Sequence, residues 1–475
     1  MGKEFTFNNI ILFLIDTLRA DHLGCYGYNK NTSPFIDSLA RKGVMFMRNY
    51  GSDVPTQPGH TALLSATRGI NTGVISHDPR QQSISRNIFW FPRFLGSKGW
   101  KTIAVSTLQM MKGWFVNGFH AYFNPVAHKP ERLQQVDADE INYYVFKWLE
   151  TNKDEKFFMY VHYWDPHMFY SPPSQYSWIF YDGKDPLDPN NKSLAPLKKD
   201  VTWYFHERQL RESSKILGEN NIATDLKWYI SQYDGEIKYV DDSVKAVYEK
   251  LEELSLLDDT LIVVTSDHGE TFGKPKIFFD HGDVSEPVIR LPLIFYHNGL
   301  KKGLRIEAYT QSIDVVPTFL EMLDLETPEI VDGKSMVSLI NGDADLHREH
   351  IFSNTAIWTA QRTILWNDWK LVVTYDESFW DYPRIALYNL RKDRFEEKNV
   401  YEENKDLGKE LLYRLEKWLF INLGKRVDPV KELAQRGIPS LRWVRRSYIE
   451  KGAYSEWIKF VKERLKKHPE SIDLI

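Results

Sequence analysis

The sequence has 475 residues, of which 42% are hydrophobic and 27% are charged. This length and composition exclude an intrinsically disordered chain and allow one large domain with a smaller one. The 61 basic and 65 acidic residues leave a net charge of −4, so no overall positive field favours nucleic acid or an anionic membrane. We expect a small-molecule partner, and the sequence leaves the oligomeric state open.

The single cysteine and the short apolar runs restrict where the chain can work. Cys25 is the only cysteine, so no internal disulfide framework indicates an oxidising compartment, and we expect a cytoplasmic location. The first apolar run, residues 10–15, is too short for a signal peptide. No other run approaches the roughly 20 apolar residues of a membrane helix, so we predict no membrane span.

Strands and helices are predicted to alternate along the chain, as in a doubly wound α/β fold. Residues 10–15 (IILFLI) are apolar at every position, which is typical of a strand buried on both faces of a parallel sheet. Further strands are predicted at residues 44–46, 102–105, 157–162, 260–265 and 290–296, and helices at residues 33–40, 91–98 and from 228 onward.

A hydroxyl residue stands at the start of the next helical segment, residues 55–64 (PTQPGHTALL). Pro58 and the run behind it predict a helix start, where free backbone N–H groups and the helix dipole favour an anion. We interpret Thr56 as a nucleophile toward a phosphate or sulfate ester. The alternative that the local sequence leaves open is that Thr56 is only the N-cap.

Acids and imidazoles follow two of the buried strands. Asp16 comes directly after residues 10–15, and Asp267 and His268 follow residues 260–265. The carboxyl ends of parallel strands are where open α/β sheets bind ligands, so these side chains are predicted to meet Thr56 around one divalent metal. Mixed oxygen and nitrogen ligands fit Zn²⁺ or Mn²⁺ better than Ca²⁺. Singly, each residue is also explained as a hydrogen-bonded polar side chain.

Two other segments contribute candidates. Asp165 and His167 follow the strand at residues 157–162, again at a carboxyl end. Residues 171–228 combine prolines with many aromatic side chains and are predicted to leave the sheet as an insertion that shapes the rim of a pocket. The alternative is that these aromatic side chains only pack the insertion onto its domain.

With these residues in view, the chain resembles the sulfatase family of the alkaline phosphatase superfamily over about residues 8–420. The stretches that carry the resemblance are LIDTLRADHLG (14–24), DPH (165–167), TSDHGE (265–270), RLPLI (290–294), DVVPT (314–318) and LYNL (387–390). The resemblance implies an alkaline-phosphatase-like α/β/α sandwich with a mostly parallel central sheet, and a small C-terminal α+β domain.

The resemblance also divides the chain. It implies a catalytic domain at residues 1–345, which includes the insertion, and a small domain at 346–421. A basic helical tail at 422–475 falls outside it. Its amphipathic pattern predicts a helix packed on its own domain, and docking of a partner or subunit is the alternative.

The resemblance implies metal ligands at Asp16, Asp267 and His268, with an oxygen from Thr56. Substrate-contacting positions follow at His60, His77, His167 and His281. Where sulfatases carry C-x-P-S-R or S-x-P-S-R, which is oxidised to formylglycine, this chain has Thr56-Gln57-Pro58-Gly59-His60. His60 replaces an arginine and His281 a lysine of the sulfatase pattern.

These departures favour phosphorus chemistry. Threonine is no precursor of formylglycine, so a covalent intermediate on Thr56 must be cleaved by water, and phosphorus accepts such an in-line attack. We therefore predict a metal-dependent hydrolase of phosphodiesters or phosphonate monoesters, with Thr56 as nucleophile and His281 or His167 protonating the leaving oxygen. His60 and His77 would stabilise the nonbridging oxygens.

Three alternatives stay open. In the first alternative, the chain is a divergent sulfatase that works without formylglycine. In the second, it is a binding protein that kept the fold and lost turnover. The third alternative keeps the phosphoester activity and adds a second metal, held by Asp165, His167 and His281 as in two-metal relatives.

Overall fold

The computed structural model describes residue 5, residues 7–128 and residues 136–467 of the chain. Its strands are β1 Asn9–Ile15, β2 Val44–Tyr50, β3 Lys101–Val105, β4 Ala121–Phe123, β5 Phe157–Tyr163, β6 Thr260–Thr265, β7 Thr271–Phe272, β8 Phe278–Asp280, β9 Arg290–Leu291, β10 Leu293–Tyr296, β11 Leu304–Gln311, β12 Ile351–Ala356, β13 Ala360–Trp366, β14 Trp369–Asp376 and β15 Ile385–Asn389. Its helices are α1 Pro34–Lys42, α2 Thr56–Ser65, α3 Gly69–Thr72, α4 Phe91–Ser97, α5 Ala138–Thr151, α6 Ala195–Lys198, α7 Trp203–Glu212, α8 Leu226–Glu253, α9 Glu286–Ile289, α10 Val315–Met322, α11 Val337–Asn341, α12 Lys405–Leu423, α13 Pro429–Arg436, α14 Pro439–Glu450 and α15 Tyr454–Lys467.

The central sheet is mostly parallel, as predicted. Its strands lie in the order β11-β2-β10-β6-β1-β5-β3-β4, and β9 pairs with β2. Strand β1 is parallel to both neighbours, with Leu14 in register with Thr265 of β6 and Ile15 with Tyr163 of β5. Strand β10 is antiparallel to β6 and β2. The register places the carboxyl ends of β1, β5 and β6 side by side.

Helices cover both faces of this sheet. Alternate residues of β1 enter two different cores, because successive side chains of a strand point to opposite faces. Ile11 and Phe13 pack in the core that includes α8, and Leu12 and Leu14 pack in the core that includes α2, α4 and α10. The predicted α/β/α sandwich is confirmed.

A second, antiparallel sheet of order β12-β13-β14-β15 forms the C-terminal part, with α12 packed on one side through Leu411 and Leu415. Helices α13 to α15 pack on the same molecule: Trp457 and Val461 of α15 lie in a buried cluster with Trp358 of the loop between β12 and β13. The tail thus has its apolar face covered by its own chain. Its last residues, 468–475, lie outside the described part, and the domain boundaries at 345 and 421 stay predictions.

No helix within the described ranges is both long enough and apolar enough to cross a bilayer.

Candidate active site

The carboxyl ends of β1 and β6 bring three predicted metal ligands together. The ligand atoms of Asp16, Asp267 and His268 all lie within 4.8 Å of one another, and all three side chains are buried. His268 Nε2 lies 3.3 Å from Asp267 Oδ2 and 3.5 Å from Asp16 Oδ1. The two strands are direct neighbours, so residues 251 positions apart in sequence meet without any long loop.

Thr56 lies against this cluster at the first position of α2. The N-cap is Pro55, so the alternative interpretation of Thr56 as an N-cap is wrong. Its Oγ1 instead lies 3.1 Å from His268 Nε2. A Cβ on Gly59 would lie only 3.0 Å from the Asp267 carbonyl oxygen, so glycine at this position allows α2 to approach the end of β6.

The donor set fits a divalent cation. Asp16 Oδ1 and Asp267 Oδ2 are buried, and their nearest partners are imidazole nitrogens: His268 Nε2 for both, and His60 Nε2 for Asp267. Burial, together with the charges of Asp267 and Glu270, raises the pKa of Asp16 well above its usual value. Burial also opposes the charge on Asp267, but His268 and His60 hold its pKa below the usual value. Buried carboxylates are stabilised by a bound cation.

His162 and His60 lie behind the two carboxylates. His162 Nε2 hydrogen-bonds Asp16 Oδ2 at 3.3 Å, and its Nδ1 lies 3.1 Å from Ser106 Oγ. Ser106 Oγ also accepts from Leu108 N–H at 3.2 Å. A neutral His162 ring that carries its proton on Nε2 can donate to the Asp16 carboxylate.

His60 makes a similar pair of contacts. Its Nδ1 bonds the Tyr160 hydroxyl, and its Nε2 lies 3.2 Å from Asp267 Oδ2. His60 is fully buried, and it is absent from the residues that line the open cavity, so the structure places this predicted substrate ligand behind a metal ligand instead. The cause is the helical period, because residue 60 lies on the same face of α2 as Thr56, one turn further along the helix.

An open cavity of about 470 Å³ lies next to this cluster, since its lining includes Gln57, the residue after Thr56, and His281, whose ring packs on that of His268. Thr56 itself is buried and is not among the lining residues. His77, His167 and His281 line it, together with Gln57. The backbone N–H of Gln57, at the start of α2, donates to His77 Nε2 at 3.2 Å. The His281 ring centroid lies 4.0 Å from that of His268 and 5.2 Å from that of His167. The structure thus gathers three of the four predicted substrate histidines around one space.

Burial lowers the pKa of all three cavity histidines and so favours the neutral imidazole. Burial, followed by the charges of His268 and His167, lowers the pKa of His77 to about 3. Burial lowers the pKa of His167 to about 4, and it lowers the pKa of His281 well below the usual value. Neutral imidazoles donate and accept hydrogen bonds but add no fixed positive charge to the cavity.

Asp165 does not join these histidines. Its Oδ2 accepts from Ala138 N–H at the start of α5, at 3.1 Å. Among the described residues, the ligand clusters within 4.8 Å are Asp16 with Asp267 and His268, and Asp16 with His60 and His162. The alternative second metal site at Asp165, His167 and His281 is therefore not formed by this geometry.

Three contributors to the site were missed by the sequence reasoning. His162 is the sixth residue of a fully buried strand, and the register that sets it beside Leu14 cannot be seen locally. Glu270 is buried with Oε1 3.7 Å from His281 Nδ1, and Asp280 Oδ1 lies 3.6 Å from His281 Nε2. For Glu270 and Asp280 the signal was present, because each is close in sequence to a predicted site histidine.

The backbone beside the site adopts an uncommon conformation at two places. Thr17, directly after Asp16, has a φ of 56°, and Phe279, two residues before His281, has a φ of 52°. A β-branched or aromatic residue in the left-handed region is an outlier of the kind that concentrates at functional sites.

Comparison with known proteins agrees with this geometry. A family model described as "Sulfatase" matches residues 8–325, and the model "N-sulphoglucosamine sulphohydrolase, C-terminal" matches residues 275–420. The multifunctional alkaline phosphatase superfamily protein PehA of Trinickia caryophylli is 24% identical, and the match covers 83% of this chain and 91% of PehA.

Two solved structures show the same fold. The structure of BT4656 in complex with D-glucosamine-2-N,6-O-disulfate has a TM-score of 0.72 at 19% identity, and the match covers 90% of this chain and all of BT4656. The phosphonate monoester hydrolase of Silicibacter pomeroyi has a TM-score of 0.68 at 20% identity, covering 90% of this chain and 97% of that enzyme. With two thirds of its length matched by the family model and the predicted ligands gathered at one sheet edge, this chain belongs to the sulfatase family.

Proposed function

We propose that this sulfatase-family hydrolase cleaves phosphodiesters or phosphonate monoesters with Thr56 as its nucleophile. The observation that carries the proposal is the placement of the Thr56 hydroxyl 3.1 Å from His268 Nε2, beside Asp16 and Asp267. A secondary alcohol at this position cannot supply the aldehyde hydrate that expels sulfate, whereas an ester on its oxygen can be hydrolysed at phosphorus.

In this proposal Asp16, Asp267, His268 and Thr56 hold one divalent ion, and we favour Mn²⁺ or Zn²⁺ because the set includes an imidazole nitrogen. Such an ion, when bound, supplies positive charge that favours ionisation of a hydroxyl and offsets charge on the attacked group. The α2 start adds the dipole of its free N–H groups on the same side.

The remaining roles fall to the cavity histidines. Thr56 Oγ1 bonds to phosphorus as the bond from phosphorus to the leaving oxygen breaks. His281 or His167, as a neutral imidazole, can take up the proton that Thr56 loses and pass it to the leaving oxygen. His77 is held by the Gln57 N–H and faces the substrate space, where its other ring nitrogen can donate to a nonbridging oxygen. Water on the open side then hydrolyses the ester on Thr56.

The second candidate is a sulfate ester hydrolase. The names of the relatives favour it: besides PehA, the matches include an N-acetylglucosamine-6-O-sulfatase, an ulvan-active sulfatase and a choline-sulfatase. Against it stands Thr56 itself, for the chemical reason given above. A cytoplasmic location also stays a prediction.

A substrate panel tests the proposal. Purified protein with added Mn²⁺ or Zn²⁺ is assayed on matched 4-nitrophenyl esters of phosphate, methyl phosphate, methylphosphonate and sulfate. We expect the methyl phosphate and methylphosphonate esters to have the highest kcat/KM. A higher kcat/KM on the sulfate ester would support the second candidate, and an absence of turnover on every ester would favour a binding protein.

A further inference from the structure

One side of the cavity is aromatic. Phe205 of α7, Trp358 of the loop between β12 and β13, and Trp443 of α14 line it, and we call these three residues the aromatic wall. Trp358 lies at the centre, with its ring centroid 4.9 Å from that of Phe205 and 5.9 Å from that of Trp443. Met111 and Met168 extend the same apolar surface.

The aromatic wall is fixed to the loop that carries His281. A Cβ on Gly282 would lie 2.0 Å from Trp358 Cβ, so only glycine allows this indole to pack directly beside His281. The N–H of Thr359 donates to the Gly282 carbonyl at 3.0 Å. Ser440 N–H donates to the Ile357 carbonyl at 3.2 Å, which ties α14 to the same loop. A leaving group that departs toward His281 therefore meets the aromatic wall.

Several polar groups of the cavity are engaged by the protein itself, whereas Gln57 Oε1 and His281 Nδ1 have no hydrogen-bond partner. Lys112 Nζ donates to the Asp78 carbonyl at 2.8 Å and also to the Gln81 carbonyl. Asp280 Oδ1 accepts from His281 N–H at 2.8 Å, and the Gln82 amide donates to the Pro79 carbonyl. A sugar needs many free donors and acceptors, whereas a flat apolar ring needs the surface that is present here.

We propose that the aromatic wall binds a planar aryl leaving group, so that the substrates are aryl esters rather than esters of sugars or small alcohols. The inference rests on the proposed function only in taking this cavity as the site of ester hydrolysis. The inference holds equally for phosphonate esters and for sulfate esters. Trp443 lies beyond residue 420, where the matches to the family models end, so this part of the aromatic wall lies outside both models.

The test compares esters that differ only in the leaving group, one aryl and one small alkyl. We measure kcat/KM for 4-nitrophenyl and 2,2,2-trifluoroethyl methylphosphonate, and for the same pair of sulfates, in wild type, Phe205→Ala and Trp443→Ala. Loss of one aromatic contact is expected to lower kcat/KM for the nitrophenyl ester about 10-fold. The trifluoroethyl ester should change by no more than about twofold, because it is too small to cover the aromatic wall.

Two further variants separate specificity from folding. Trp178→Ala removes a half-exposed aromatic side chain of the same insertion that packs on Trp228 and does not line the cavity, and it should leave both esters unchanged. Trp443→Phe keeps an aromatic ring and should restore most of the lost selectivity. Equal losses on both esters in Phe205→Ala and Trp443→Ala would overturn the proposal.

Binding of the aryl product tests the aromatic wall even if the protein hydrolyses no ester. 4-Nitrophenol, the product, should quench the tryptophan fluorescence of the wild type saturably, with a dissociation constant about 10-fold weaker in Phe205→Ala. If no ester is turned over but 4-nitrophenol binds in this way, the proposed function fails while the aryl subsite stands. If 4-nitrophenol binds no more tightly than trifluoroethanol, the aryl subsite fails whatever the enzyme hydrolyses.

Discussion

The two sides of the active-site cavity differ in origin and in chemistry. On the polar side, His281 lines the cavity and packs on His268, which belongs to the cluster of Asp16, Asp267 and His268 at the strand ends. Thr56 meets this cluster from the start of α2, and all these residues lie within the stretch that the sulfatase family model covers. The aromatic wall comes from an insertion, an antiparallel hairpin loop and an added helix. In our proposal the sheet topology therefore sets the reaction, and elements outside the sheet set which leaving group fits.

The largest effect is expected on the polar side. Thr56→Ala removes the proposed nucleophile, and turnover should fall about 10⁴-fold or more. Thr56→Ser keeps an oxygen at the same place and should retain much of the activity, which separates loss of the nucleophile from loss of the fold. Steady-state kinetics on the preferred ester gives both values. Undiminished turnover in Thr56→Ala would contradict the role of this residue.

The next effect concerns the support of the aromatic wall. Arg362 is fully buried and makes two hydrogen bonds to Asp428, at 2.7 and 2.9 Å, which anchors the start of α13 to β13. Arg362→Met leaves a buried carboxylate without its partner and should lower the free energy of unfolding by about 3–5 kcal/mol. Chemical denaturation measures it.

Two controls sharpen this result. The double variant Arg362→Met/Asp428→Leu removes both charges and should recover most of the loss. Metal affinity should be the same in all three proteins, because the pair lies outside the metal cluster. A matching fall in metal affinity would show that the two sides of the cavity are not independent.

A smaller effect is expected behind the metal ligands. His162→Leu removes the hydrogen bond to Asp16 Oδ2, and metal affinity should fall about 10- to 100-fold, as is usual for a group that orients a ligand. His162→Gln can still donate a hydrogen bond and should lose less. Competition with a chelator gives the affinity, and metal analysis gives the stoichiometry.

The matched control is His120→Leu, an exposed histidine that bonds Thr102 and should leave the affinity unchanged. A wild-type stoichiometry of two ions, with one lost in His162→Gln, would instead identify His162 as a ligand of a second metal, together with Asp16 and His60.

The smallest effect is a pH dependence of stability near the aromatic wall. His206 of α7 is buried, neither ring nitrogen has a hydrogen-bond partner, and burial lowers its pKa to about 3. The unfolded chain binds a proton at His206 below about pH 6.5 and the folded chain does not, so stability falls as the pH drops from 6.5 toward 3. At pH 5 this amounts to about 2 kcal/mol.

His206→Leu removes this titration. Thermal or urea unfolding of wild type and variant between pH 7 and pH 5 should show a shallower loss of stability in the variant. Parallel curves for the two proteins would mean that other groups cause the acid sensitivity.

The sequence by itself determined the fold class and predicted the residues that we propose to bear the chemistry. Buried parallel strands are continuous apolar runs, so β1 and β6 were evident, and a polar residue directly after such a run must lie at the carboxyl edge of the sheet. This local rule identified Asp16, Asp267 and His268 and directed attention to Thr56.

Only the tertiary structure decided what surrounds those residues. The strand order sets β5 beside β1 and so puts His162 on Asp16, while His60 lies behind Asp267 and not in the cavity. Trp443 and Trp358 meet the His281 loop from segments more than 75 residues away. Such contacts depend on strand order and on packing between distant segments, which no local pattern of hydrophobicity or spacing encodes.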